Sequence, residues 1–198
     1  MKPIERGEVL GLAEYEGIRD RFRARVIDEK KLRRVKLGEN ASCVFENRDT
    51  VLMQIQEMLR TERITREAAV QHEIDTYNEL VPKAHELSAT ILIEIEDKDT
   101  RETFLREAHG LEGTFALFID GARCAGKQDA RSTDARTTAV HYVKFQLPEN
   151  AERALRDVLE KKREANEVRA TLVCDHPKYA HEAALPPTLV ASIAEDLA

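Results

Sequence analysis

The chain has 198 residues, 42% of them hydrophobic and 34% charged, and its 31 Lys plus Arg against 37 Asp plus Glu leave a net charge of −6. That length suits one domain with a modest core. The acidic balance argues against a general binder of nucleic acid or anionic membrane, which is usually basic overall.

Residues 1–13 read as an arm interrupted by Pro3, Gly7 and Gly11. Tyr15, Ile18, Phe22 and Val26 recur at helical spacing and predict a helix over 14–34. Val35–Leu37 and Ala41–Phe45 flank Gly38-Glu39-Asn40 and read as a hairpin. Val51, Leu52, Ile55, Met58 and Leu59 predict a helix over 48–64; Val70, Ile74, Tyr77 and Val81 predict another over 66–81, ended by Pro82. Beyond it come a strand at 89–95 and a short helix at 100–109. Strands at 114–119 and 122–125 then flank the turn signal Asp120-Gly121. A polar loop is expected over 126–137, then a strand at 138–147, a charged helix at 151–164, a strand at 168–174 and, after Pro186-Pro187, a small helix to about 197. The expectation is a single α+β domain over 1–198. Its helix-rich N-terminal half (about 14–86) would pack on an antiparallel sheet drawn from a strand-rich C-terminal half (about 88–175), with a closing helix at about 187–197.

Cys43, Cys124 and Cys174 are too widely spaced for a local CxxC motif, and their odd number argues against a disulfide framework. Of the three, Cys124, near a turn, is expected to be the reactive one. The start of the chain has no apolar signal-peptide core, and the longest apolar run, FALFI at 115–119, is too short to span a bilayer. The expected location is therefore cytoplasmic.

Helical geometry supplies the candidate chemistry. Arg48 and Glu62 fall on the apolar stripe of the 48–64 helix, and Glu73, Tyr77 and Asn78 lie on or beside that of the next. Polar groups on such stripes require partners. One reading is a small polar pocket between two antiparallel helices, with Arg48 holding an anion, Glu62 or Glu73 as general base and Tyr77 as orienting donor. The other is an ion-pair network that fixes how the helices pack. The six histidines form no HExxH pattern, so no metal site is assigned, and no cofactor motif is present; GARCAGK at 121–127 lacks the spacing of a phosphate loop. His176 and Tyr179, at the end of the 168–174 strand, read as a rigid turn with a covering phenol or as a functional loop. Nine basic against three acidic residues over 19–36 raise nucleic-acid binding as an alternative, but they surround their helix and lack interleaved aromatic platforms.

The run FENRDTVLMQIQEMLR at 45–60 is supported by RVKL at 34–37, YNELVP at 77–82, TILIEI at 90–95 and HPKY at 176–179. Together these make the chain resemble the bacterial family named domain of unknown function 3501. The resemblance carries no established activity. It implies an accessory role in redox or peroxide defence beside rubrerythrin-like and iron–sulfur proteins, so a redox protein is the expected partner. Its motif residues here are Asn47, Arg48, Gln54, Gln56, Glu57, Arg60, Glu62, Tyr77 and Asn78. The leading expectation is thus an accessory binding protein. The alternatives are a small enzyme, metal-dependent in one version, built on Arg48, Glu62, Glu73 and Tyr77, and a nucleic-acid binder through 19–36.

Overall fold

The computed structural model describes residues 1–128 and 136–198, so most of the loop expected over 126–137 lies outside the described residues. Helix α1 (Leu12–Leu32) leads into strands β1 (Arg34–Leu37) and β2 (Ala41–Glu46), followed by α2 (Arg48–Thr61), α3 (Glu67–Asn78), β3 (Glu86–Ile93) and α4 (Lys98–Glu107). Strands β4 (Phe115–Ile119), β5 (Ala122–Lys127) and β6 (Val140–Gln146) come next, then α5 (Glu149–Leu159), β7 (Ala170–His176), β8 (Tyr179–Ala184) and α6 (Pro187–Glu195). Local chemistry explains several boundaries. Asn47 caps α2 by accepting from the Thr50 amide at 3.0 Å, while the Thr50 hydroxyl accepts from the Asn47 amide at 2.9 Å. Gly38 turns the β1–β2 hairpin at a φ of +70°, a conformation that costs glycine least.

The eight strands form one antiparallel sheet in the order β1-β2-β3-β6-β5-β4-β7-β8. It curls nearly into a barrel, which brings β1 and β8 together. The inner face presents Cys43, Phe45, Leu87, Ile91, Leu117, Val143, Phe145 and Leu172; α4, α5 and α6 bury Leu105, Leu155, Leu189 and Ile193 in the same cluster. On the outer face, Val51, Ile55 and Leu59 of α2 and Val70 and Ile74 of α3 form a second cluster, which Tyr142 of β6 joins. Strand β3 is consequently buried on both sides along almost its whole length.

The expected segregation of a helical N-terminal half from a C-terminal sheet does not hold. Helices occur throughout the chain, and β1, β2 and β3, all within the first 93 residues, are integral to the same sheet as β4–β8. Strand β6 inserts between β3 and β5, a long-range pairing to which hydrophobic periodicity is blind.

Tyr179 fastens the near-closure. Its hydroxyl donates to the Leu37 carbonyl and accepts from the Asn40 amide at 3.1 Å, and its ring lies against His181. The clasp needs a glycine beneath it, because a Cβ on Gly38 would stand 2.7 Å from the Tyr179 hydroxyl and from the His181 ring. Tyr179→Phe leaves a buried carbonyl without this donor and is expected to cost about 1–2 kcal/mol, lowering the melting temperature by roughly 2–8 °C. Thermal melts of the variant beside the parent check this.

Candidate functional site: a cleft where two strands part

The ladder between β5 and β6 is two residue pairs long, Gly126–Phe145 and Lys127–Lys144. Beyond it β5 ends, while β6 continues back to Val140 paired with β3 alone among the described residues. A cleft of about 670 Å³ opens there. One wall is α3, with Glu73, Thr76 and Tyr77; the other comprises Lys127, Gln128, Tyr142 and Lys144, with Ser88 of β3 and the short turn Leu111–Gly113 completing it. Alternation along β6 sends Tyr142 and Lys144 to the outer face beneath α3, while His141, Val143 and Phe145 point inward. The register sets Lys127 directly opposite Lys144, and Lys144 opposite Ser88.

Gly126 allows the strands to approach at this point: a Cβ there would meet the Phe115 carbonyl oxygen at 2.6 Å and the Val143 side chain at 2.8 Å. Lys144 has carboxylates nearby, Glu86 at 3.2 Å and Glu79 at 3.9 Å. Tyr77 is half-buried; burial, reinforced by the neighbouring Tyr142 and Glu73, raises its pKa, so it is a phenol at neutral pH.

Behind Gln128 lies His141, fully buried, with its ring edge-on to Phe115. Burial lowers its pKa against the opposing pull of Glu112, which favours the neutral imidazole. Its Nδ1 stands 3.1 Å from the Gln128 amide nitrogen. With that amide donating to Nδ1, the ring proton resides on Nε2. Among the described residues neither His141 Nε2 nor Gln128 Oε1 has a partner at full hydrogen-bond geometry, although both are buried, and the Thr138 backbone beside the ring favours its protonated form. Rotating the Gln128 amide exchanges donor and acceptor roles but still leaves one polar atom on each side chain without a partner among the described residues. Glu112 accepts from the Thr137 hydroxyl at 2.8 Å.

Of the residues singled out from sequence, Glu73 and Tyr77 line this cleft. Arg48 instead reaches the N-terminal arm, pairing with Glu8 and donating to the Lys2 carbonyl at 3.1 Å. Asn78 donates to the Ile4 carbonyl at 2.9 Å and accepts from its amide at 2.7 Å, and Gln56 accepts from the Leu10 amide at 2.7 Å. These three residues therefore strap the arm across α2 and α3. Glu57 receives the Tyr15 hydroxyl at 2.6 Å and Arg19 at 2.8 Å. Glu62 is the exposed C-cap of α2, Asn47 its N-cap, and His176 meets the His109 carbonyl at 3.0 Å. In the basic segment, Arg19, Arg25, Lys30, Lys31, Arg33 and Arg34 each have a carboxylate of this chain within ion-pair distance.

Lys127, Gln128, His141, Tyr142 and Lys144 were not anticipated as site residues. Alternation in the 138–147 strand already separates His141 from Tyr142 and Lys144, but nothing local in the sequence announces that β5 pairs there or that α3 lies above.

No curated protein matches the chain. It is similar in structure to a crystal structure of a novel protein of unknown function from Burkholderia pseudomallei: 32% sequence identity, 100% of each chain covered and a TM-score of 0.88. Residues 3–197 match the family described as "Protein of unknown function (DUF3501)". Over nearly its whole length, then, this chain belongs to the DUF3501 family.

Proposed function

We propose that this is a cytoplasmic protein that binds a small polar metabolite in the cleft between α3 and the β5–β6 edge. The observation that carries the reading is a pair of buried atoms without hydrogen-bond partners among the described residues, Gln128 Oε1 and His141 Nε2, behind the wall of a cleft of about 670 Å³. Buried polar atoms without partners are few in folded proteins, and a cleft of several hundred Å³ with convergent polar groups is where a ligand supplies what the protein lacks. Tyr77, Glu73 and Lys144 add a phenol, a carboxylate and an ammonium to the same wall, a set able to orient a ligand or move a proton. The site joins Glu73 and Tyr77 to strand residues rather than to Arg48 and Glu62.

An accessory role beside redox proteins, which the family resemblance implies, would act through docking or through the bound ligand. Cys43, Cys124 and Cys174 are all buried free thiols, and burial raises their pKa, that of Cys124 to about 11, far from a reactive thiolate.

The test is a thermal-shift screen of a polar-metabolite panel against the parent and Gln128→Leu. At saturating ligand the parent is expected to gain about 2–4 kcal/mol of stability, read as a higher melting temperature, and Gln128→Leu to lose that gain. A panel that shifts neither protein, or both equally, overturns the proposal.

A further inference from the structure

Resting on the cleft reading above, we propose that the ligand is a zwitterion with well-separated charges: its carboxylate lies at Lys127 beside Lys144, its ammonium at Glu73, and its body along Tyr77 and Tyr142. Lys127 and Lys144 face each other directly across the β5–β6 ladder, an arrangement that is unfavourable for like charges unless anions offset it. Lys144 has Glu86 and Glu79, but Lys127 has no carboxylate within ion-pair distance among the described residues. On the α3 wall Glu73 likewise has no cation in reach among the described residues, and its influence falls on the Tyr77 phenol. The other carboxylates of the wall are engaged within the chain, Glu79 with Lys83 at 3.1 Å and Glu112 with Thr137.

Among the described residues the cleft thus holds Lys127 on the sheet without a carboxylate in ion-pair reach and Glu73 on the helix without a cation in reach. A simple anion would satisfy Lys127 and meet Glu73 uncompensated, and a simple cation would do the reverse. A ligand carrying both charges answers both, and with Glu73 on the α3 wall and Lys127 on the strand wall, a molecule charged at its two ends suits the cleft better than one with both charges on one carbon. Two phenol rings on the same walls suit an apolar or aromatic body between the charged ends.

Calorimetric titration of the full chain with 4-(aminomethyl)benzoate and 6-aminohexanoate, against 4-methylbenzoate and benzylamine, tests the inference. At least one zwitterion is expected to bind about tenfold or more tighter than either singly charged compound. Lys127→Met should remove about tenfold for the zwitterion while leaving benzylamine unchanged, and Glu73→Gln should do the same while leaving 4-methylbenzoate unchanged. Both positions lie on the cleft wall outside the core, so the melting temperature without ligand serves as the control for folding. Equal binding of singly charged and zwitterionic probes, or indifference to both substitutions, overturns the inference. If a singly charged or neutral compound binds and Gln128→Leu abolishes it, the zwitterion assignment fails while the cleft reading stands. If none of the four compounds binds, the zwitterion assignment fails, and the metabolite panel decides the cleft reading separately.

Discussion

Replacing Arg33 by Met is expected to destabilise the protein by about 3–5 kcal/mol, roughly 6–20 °C in melting temperature for a chain of this length. Arg33 follows α1 and is 1% exposed, yet it holds together three parts of the fold. It donates to the Phe45 carbonyl at 2.8 Å and the Glu46 carbonyl at 3.3 Å on β2, to the Ser192 hydroxyl at 2.9 Å on α6, and to the carboxylate of Asp196. Methionine fills much of the volume but none of those acceptors. The loss should also depend on pH. Burial outweighs the attraction of Arg33 and raises the Asp196 pKa to about 6, in keeping with an Oδ1 that has no donor among the described residues. A carboxyl whose folded pKa is raised contributes stability that is complete below its unfolded value, near 3.8, and is lost as pH rises through about 6. At pH 5 Asp196 is therefore largely protonated and the ion pair is weak; at pH 8 Arg33 neutralises a buried carboxylate. Chemical denaturation at both values should show a larger penalty for Arg33→Met at pH 8, and an equal penalty at both would contradict the burial argument.

Gly126→Ala is expected to cost about 1–3 kcal/mol and to disturb the cleft as well as the fold. The nearest atom to the added methyl is a backbone carbonyl oxygen, that of Phe115, so no change of rotamer relieves the clash. Either β4 or β6 must move, and the two-pair ladder that ends at the cleft mouth must shift with it. Denaturant unfolding measures the stability, and ligand titration of the same variant measures the site. Wild-type stability with wild-type binding would show that the approach of β4, β5 and β6 is looser than described.

How much of this was legible in the sequence varies by element, for physical reasons. The β1–β2 hairpin and the Asp120-Gly121 turn were legible because their turn chemistry is local, and α2 and α3 because an apolar stripe of period 3.6 is a strong signal. Strand β8 (YAHEAA) was not expected as a strand: four of its six residues are exposed, and Ala, His and Glu carry little strand preference, so pairing with β7 is what makes it one. Sheet order was hidden for a deeper reason. Strands β3 and β6 lie about fifty residues apart and neither encodes its partner, so the helix-rich and strand-rich halves looked separable when they share one sheet.

For the site, Tyr77 could be placed on a core-facing stripe and Glu73 beside it, but what that stripe faces could not. Arg48 finds its partners on the N-terminal arm, whose path no periodicity describes. Lys127 and Gln128 follow a glycine at a strand end and become meaningful only once the register sets Lys127 opposite Lys144 and Gln128 beside His141.

The most direct test of the central claim is to map a bound ligand by amide chemical shifts on the ¹⁵N-labelled chain, using the compound that gives the largest thermal shift. The perturbed amides are expected to cluster at Glu73–Tyr77, Gly113, Gly126–Gln128 and Val140–Lys144, and the His141 ring resonances to move with them. Perturbations centred instead on the outer face around Phe118 and Val173, with His141 unmoved, would contradict it.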